Sequence, residues 1–396
     1  MLRSLIRFAL NQRLLMLGLT GVLIIAGWRA LTTLKVEAFP DVQDVQVQII
    51  TQSAGAAPEE VERALTLPIE REMSGVPNET QLRSVSMTGL SVVTLTFADG
   101  TDNYFARSQV LEHLGNVTLP TGVQPTLAPL TTAVGEVLRY VVQAPPDMAE
   151  NDVRALQDWV VRPALRMVPG VADVASFGGT VKEYQVLVDP ARLKRYGVTL
   201  DQVALALTNN SANVGGGVLR RGDEALVVRS IGLVDSLAGL GQVIVQARNG
   251  RTVLVSDVAR VEFGHKPRSG IVAYDDHDSV VEGVVSMTKG QNAAVVVAGV
   301  EKAMEALAQR LPRGVTLPVV YKRTDLIHQT VDTVVENLVT GALLVIVILV
   351  VFLRNWRAAV IVATVIPLSL LFAFIMLDLR GIPANLISLG AVDFGI

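Results

Sequence analysis

Leu338-Val339-Thr340-Gly341-Ala342-Leu343-Leu344-Val345-Ile346-Val347-Ile348-Leu349-Val350-Val351-Phe352-Leu353 carries no charge. With Val334 and Val335 ahead of it, this run approaches the ~20 apolar residues that cross a bilayer. A short basic turn follows, Arg354-Asn355-Trp356-Arg357, and then a second charge-free run, Ala358–Leu377. A third apolar run opens at Ile382 and contains Asp393. From Asn385 to Ile396, at ~1.5 Å per helical residue, it reaches only about halfway through a ~30 Å hydrocarbon core. The sequence is therefore expected to be the N-terminal piece of a longer membrane protein. A short helix lying at the interface is the competing reading.

Working back from that stretch, the N-terminus supplies one more span. Arg3, Arg7 and Arg13 precede the charge-free run Leu14–Trp28, and the first acid is Glu37. Positive charge stays on the cytoplasmic side, so the region after this span is expected outside. A cleaved signal peptide is the alternative, but no clean Ala-x-Ala site follows. The second span must then return inward, and the turn after it should be basic. Arg354 and Arg357 meet that expectation independently.

About 300 residues lie between these first two spans, enough for two or three domains with real cores. The chain has 396 residues, a formal net charge of −3 and 18% charged residues. That balance leaves no footprint for nucleic acid. There is no cysteine, which excludes disulfides and thiolate sites and suits an oxidising compartment. His113, His265, His277 and His328 form no H-x-x-x-H or H-E-x-x-H pair, so a preformed zinc motif is absent. No G-x-x-x-x-G-K-[ST] string is present, which disfavours an ATP-driven machine.

The middle reads as repeated βαβ units. Val45–Ile50 alternates as a strand, and Pro58-Glu59-Glu60 opens a helix with proline in its first turn and acids at its positive end. Val61, Leu65, Ile69 and Met73 give the helix an apolar stripe. Leu90–Phe97 alternates again, with Ser91, Val93, Leu95 and Phe97 on one face. A helix around Tyr104–Leu114 and a strand Val123–Leu127 complete the unit. A second unit runs through strand Val137–Val142, helix Asn151–Met167 and strand Val171–Phe177. It resumes at Gly270–Met287, with helix Ala293–Leu311 and strand Val315–Tyr321. Pro68 and Pro163 each stand seven residues before a Gly-Val pair, Gly75-Val76 and Gly170-Val171. This spacing predicts an internal duplication. Between Gly178 and His265 the pattern changes to short helices, a glycine-rich loop Asn209–Gly217, and hairpins turning at Gly222-Asp223 and Asn249-Gly250.

Several ordered strings sharpen the reading: Phe39-Pro40-Asp41-Val42, Phe97-Ala98-Asp99-Gly100-Thr101-Asp102, Val168-Pro169-Gly170-Val171, Asn209-Asn210-Ser211-Ala212-Asn213-Val214-Gly215-Gly216-Gly217 and Ile366-Pro367-Leu368-Ser369. Asn385-Leu386-Ile387-Ser388-Leu389-Gly390-Ala391-Val392-Asp393-Phe394-Gly395 follows them. Together they resemble the heavy-metal efflux branch of the resistance–nodulation–division transporters, over the whole chain.

The resemblance implies an α+β membrane protein with transmembrane helices and a large periplasmic porter domain of duplicated ferredoxin-like units, carrying an inserted hairpin docking subdomain. The expected segments are 1–35 (N-terminus and first span), 36–134 (first porter subdomain), 135–178 with 270–332 (second porter subdomain) and 179–269 (docking insert). Spans at 333–353 and 358–378 and the start of a fourth at 384–396 complete the order. It implies a proton-driven cation antiporter, not an enzyme, in the Gram-negative inner membrane. Its partners would be two further copies in a homotrimer, a periplasmic adaptor, an outer-membrane channel and the lipid bilayer. No cofactor is implied, only a transported heavy-metal cation.

Asp393 is the candidate proton relay. An acid inside an apolar span is rare and faces a partner or cavity, and the resemblance places this one at the start of a fourth-span motif. Glu136 and Asp173 are the metal candidates, because without cysteine carboxylates must dominate. On residue chemistry alone each reads first as an exposed strand-end acid; the resemblance places both near a cleft. Asp275, Asp276, His277 and Asp278 read first as a solvated turn. Met73, Met87, Met167, Met287 and Met304 are scattered without an M-x-M pair, and Met73, Met167 and Met304 sit at core spacing. Asp393-Phe394-Gly395 also resembles the divalent-ion members of that branch more than the monovalent ones, and the resemblance implies cobalt, zinc, cadmium or nickel over copper(I) or silver(I). A drug-efflux pump would want an aromatic-lined cleft, but aromatics are 5%. A membrane-anchored module that moves nothing is the remaining rival.

Overall fold

In the computed structural model, the described residues are 8–9, 11–33, 36–37, 43–210, 213–222, 224–230, 232–248, 250–268, 270–380 and 384–385. The N-terminal apolar run is the helix Arg13–Thr33. Its 21 residues reach about 32 Å, enough to cross a bilayer. Leu14, Leu17 and Ile25 stand exposed on it, as a lipid-facing helix would present them. A Cβ on Gly27 would lie 2.6 Å from that of Leu371, so glycine is what lets this helix approach the helix Val365–Leu379. The charge-free run Ala358–Leu377 lies on two helices, Trp356–Ala363 and Val365–Leu379. The break at Thr364 has a cause in Pro367, which lacks an N–H and crowds the carbonyl of Ala363. Asn355 caps the first of them, its Oδ1 accepting from the backbone of Arg357 and Ala358.

The second apolar run differs from expectation. The helix holding it is Arg323–Leu353, 31 residues long, and its continuous apolar part is Val339–Phe352. The helix begins well before 333 because its first turn is buried: Arg323, Thr324 and Ile327 are 1%, 7% and 6% exposed.

Between the helices stand two four-stranded antiparallel sheets. The first is ordered Glu79–Met87, Leu90–Phe97, Gln46–Gln52, Pro125–Leu127. The second is ordered Val171–Gly178, Val281–Met287, Glu136–Val142, Val319–Lys322. Counted along the chain, both read 2-3-1-4. Strand Glu79–Met87 is a member that periodicity missed. It lies at an edge, is built mostly of Glu, Thr, Gln, Arg and Ser, and shows no alternating burial. Its place is fixed by backbone pairing to Leu90–Phe97 across the tight turn Thr88-Gly89, where Gly89 has φ +73.

Of the two faces of Leu90–Phe97, the one with Ser91, Val93, Leu95 and Phe97 is buried. Val61, Leu65, Ile69 and Met73 are likewise fully covered. In an unbroken α-helix a four-residue step drifts about 40° each time. Here the π-turn Glu62–Thr66 widens the helix and keeps the stripe on one face. The second unit repeats the device at Gln157–Val161. In each, the last N–H before the proline bonds five residues back, Leu67 to Glu62 and Arg162 to Gln157. Pro68 and Pro163 then stand at the same place, so the two helices match in backbone hydrogen bonding as well as in spacing.

Helix Ala293–Ala308 covers the second sheet with Val296, Val297, Val300, Met304 and Leu307. Met73 and Met304 are core residues, but Met167 is 84% exposed. It is the cap residue where the chain leaves its helix, so helical spacing no longer directs it inward.

The segment joining strands Val171–Gly178 and Val281–Met287 forms a smaller body. Strand Lys182–Val188 pairs with Ala259–His265, and helices Pro190–Tyr196 and Leu200–Asn210 pack nearby. Thr199 and Gln202 cap the latter reciprocally. The expected loop Asn209–Gly217 is not one loop. Asn209 and Asn210 finish the helix, and Val214–Arg221 is a strand paired with Glu224–Ser230. Gly215 and Gly217 pair within that ladder, which is why glycine content misled. Val218, Leu219 and Val227 stand exposed on this hairpin. The other expected hairpin is Ile244–Arg248 with Arg251–Leu254, turning through Gly250 at φ +75.

Candidate functional site

Glu136 opens the first strand of the second sheet, and Asp173 lies on its second strand. Both pair with Ser286 of the strand between them. The register therefore sets the two acids in one row, two inter-strand steps or roughly 10 Å apart.

Neither acid stands open to a cation. Arg139 forks onto Glu136, with Nη2 donating to Oε2 at 2.9 Å and Nε donating to Oε1. Its Nη1 also lies 3.5 Å from Glu282. The hydrogen bond to Glu136 is the main reason the Arg139 guanidinium is held above its ordinary pKa. Asp173 meets two arginines of the preceding helix, Arg162 Nη2 at 3.3 Å and Arg166 Nε at 3.2 Å. A metal would have to displace an arginine at either acid. Among the described residues no three His, Asp or Glu side chains come together to hold a metal ion.

The acid cluster near His277 resolves in favour of the turn. Tyr274 and His277 exchange backbone hydrogen bonds at 3.0 Å around Asp275, which takes φ +50, and Asp275, Asp276, His277 and Asp278 are exposed. A cavity of about 560 Å³ nearby includes Met148, Glu150 and His277 in its lining. Glu150 is already engaged there by Arg268 and Ser279, each at 2.6 Å. Asp393 lies outside the described residues.

The structure draws attention to a place the spacing of acids did not. The segment Ala128–Gly135 joins the two sheets, and it borders a cavity of about 340 Å³ whose lining also includes Gln43, Asp44, Arg107 and Lys289. Arg107 Nη1 donates to the Ala128 carbonyl at 2.6 Å. Burial lowers the pKa of that guanidinium. Lys289 Nζ donates to the Gln43 carbonyl at 2.5 Å. Arg323, at the start of the long helix, donates to the Val134 carbonyl. The sequence signal for Arg323 was a basic residue beginning a helix, where the dipole favours acids.

The comparisons with known proteins meet this geometry over its full length. A profile of the AcrB/AcrD/AcrF family matches residues 5–396. Protein HelA of Legionella pneumophila is 42% identical over 404 residues, covering 100% of this chain and 38% of its own length. The cobalt-zinc-cadmium resistance protein CzcA of Cupriavidus metallidurans is 41% identical over 410 residues, with the same shares. An X-ray crystal structure of a heavy metal efflux pump superposes with a TM-score of 0.88 at 40% identity. It covers 99% of this chain and 39% of the pump. The chain thus spans about 38% of the length of the curated relatives it matches. By the profile match over residues 5–396, the chain belongs to the AcrB/AcrD/AcrF family.

Proposed function

We propose that this chain is the N-terminal part of a proton-driven inner-membrane pump that exports divalent heavy-metal cations. The observation that carries the reading is the end-to-end likeness to a heavy metal efflux pump at 40% identity and TM-score 0.88. The pump would work as a homotrimer with a periplasmic adaptor and an outer-membrane channel. The two sheets would be ferredoxin-like porter subdomains at 36–134 and 135–178 with 270–332. Their shared 2-3-1-4 order and matching π-turns support this. The insert 179–269 would dock neighbouring proteins, in keeping with the exposed apolar residues of its long hairpin. Residues between the first two spans would face the periplasm and Arg354 the cytoplasm, which follows from the basic residues at both cytoplasmic positions.

In this reading Asp393 takes and releases the driving proton. An unpaired carboxylate in an apolar span is costly when ionised, so protonation and helix arrangement become coupled. Glu136 and Asp173 would serve a cation only by exchanging their arginines for it, with further ligands from outside the described residues. The test is export from proteoliposomes holding the full-length pump under an imposed pH gradient. Wild type should export cobalt, zinc, cadmium or nickel, and Asp393→Asn should lose at least about 90% of that rate while inserting and forming trimers normally. Wild-type export by the variant would remove Asp393 from the mechanism, and no metal export by the intact pump would remove the function.

A further inference from the structure

Arg323 combines features that a merely structural residue would not retain. It is 1% exposed, and it cannot shed its charge because a guanidinium stays protonated in proteins. It begins the helix Arg323–Leu353, at the positive end of the dipole. Among the described residues no acid compensates it. The neighbouring acids Glu301 and Asp325 are taken by Lys322, at 3.0 and 3.3 Å. One Nη of Arg323 donates to the Val134 carbonyl, while Nε and the other Nη are buried without a hydrogen-bond partner among the described residues. Burying a cation this way is expensive, and an apolar side chain of similar length would be tolerated better.

What Arg323 holds is the strap between the two sheets, which is also bonded to both sheets' units and to Gln43. The first sheet's helix grips it through Arg107 on Ala128. The second sheet meets it through the Met287 amide on Gly135 at 2.8 Å and the Lys289 amide on Leu130 at 3.4 Å. The chain arriving from the first membrane helix meets it through Gln43, whose Oε1 accepts from the Ala133 amide at 2.9 Å. The 340 Å³ cavity lies against the strap, so the strap has room to shift.

We propose that Arg323 is a positioning residue for transport, tying the membrane helix Arg323–Leu353 to the strap 128–135 so that a shift of the helix moves the two sheets relative to each other. Its unpartnered N–H groups let it exchange one strap carbonyl for another without letting go. This proposal rests on the transport reading given above.

The test compares wild type, Arg323→Met and Arg323→Lys in the full-length pump, reading thermal unfolding, hydrogen exchange of the strap amides and metal efflux. Methionine removes a buried charge and keeps the length. Arg323→Met should therefore unfold at the same temperature or higher. Its strap amides should exchange about tenfold faster, and its efflux should fall about tenfold with trimers intact. A structural role would move stability and efflux down together. Lysine keeps a donor for Val134, so Arg323→Lys should retain more than about half of wild-type efflux. Wild-type efflux by Arg323→Met would overturn the proposal. So would background efflux by a folded Arg323→Lys, which also decides the matter if the methionine variant does not fold. If the wild-type pump itself exports no metal, the transport reading fails first. Strap exchange then judges the tie: unchanged exchange in Arg323→Met refutes it, and faster exchange supports it.

Discussion

The two sheets share a strand order and a π-turn before a proline, yet they fill their polar interiors differently. In the first, Thr66 Oγ1 on the π-turn meets Ser86 and Ser91, each at 2.8 Å. In the second, Gln157 on the equivalent turn takes a hydrogen bond from Tyr140 at 2.9 Å and donates to Ser176 at 3.2 Å. The widened turn leaves space opposite the sheet in both units. Three hydroxyls fill it in one, and a glutamine with a tyrosine in the other. The difference teaches that the backbone pattern defines this unit, while the buried polar group is chosen locally.

The comparison breaks most sharply at Gly283. A Cβ there would lie 2.1 Å from Tyr140 Cζ, on the neighbouring strand at the paired position. The central strand Leu90–Phe97 of the first sheet needs no glycine, because Val47 and Ile49 stand opposite Leu95 and Val93. Gly283→Ala should destabilise the second sheet by about 3 kcal/mol through overpacking. Hydrogen exchange of its strands should quicken while that of the first sheet stays as it was. Equal protection in both would show that Tyr140 moves aside freely.

The polar interiors come next. Gln157→Leu strands the buried Tyr140 hydroxyl and should cost about 2 kcal/mol. Thr66→Val takes a partner from buried Ser91 and from partly covered Ser86, but these two are paired across neighbouring strands, so the hydroxyls left behind can turn to each other, and the change should cost about 1 kcal/mol. If the order of these costs is reversed in exchange measurements, the second interior is not the more tightly committed one.

Tyr140 also separates the units by pH. Burial is the main cause that raises its phenol pKa, so the fold favours the neutral form. That contribution is complete below the unfolded tyrosine pKa of about 10 and is lost as pH rises above it. In an alkaline absorbance titration of this chain, one of its six tyrosines should ionise late, together with unfolding of the second sheet. Tyr140→Phe should remove that step, and its persistence would assign it elsewhere.

These contrasts also show what the sequence could carry. Strand Leu90–Phe97 was legible because one face is buried and periodicity reports burial. Strand Glu79–Met87 was not, since an edge strand held by backbone pairing needs no apolar alternation. The prolines at 68 and 163 announced the repeat through spacing, but a π-turn has no side-chain signature to read. The row of Glu136 and Asp173 across Ser286 follows from register; Arg139 stands three residues along the same strand from Glu136, while the arginines of Asp173 come from a helix that the fold packs against its strand. Arg323 drew no reading from the sequence, because the strap it bonds lies nearly 190 residues earlier in the chain.

The smallest expected effect concerns the insert. In the first unit, strands two and three are joined by Thr88-Gly89, with Met87 paired to Leu90. In the second, Gly178 pairs with Val281 in the same relation, although residues 179–280 intervene. If the strand register belongs to the sheet and not to its connection, a two-residue Asn-Gly turn should replace 179–280 with little change in the ladder. The lost cross-contacts include two partly exposed ion pairs, Lys182 with Asp152 at 2.7 Å and Arg268 with Glu150 at 2.6 Å, each worth under about 1 kcal/mol, and the Ser279 hydrogen bond to Glu150 at 2.6 Å. Val272, which packs against Gly178, would be lost as well. Shortening the loop recovers some closure entropy in return, since that cost grows with loop length. The amides of Val281–Met287 should therefore keep their protection within about threefold in the shortened chain. Loss of that protection would mean that the insert supports the sheet it interrupts, and that the two units are alike in order but not in what holds them.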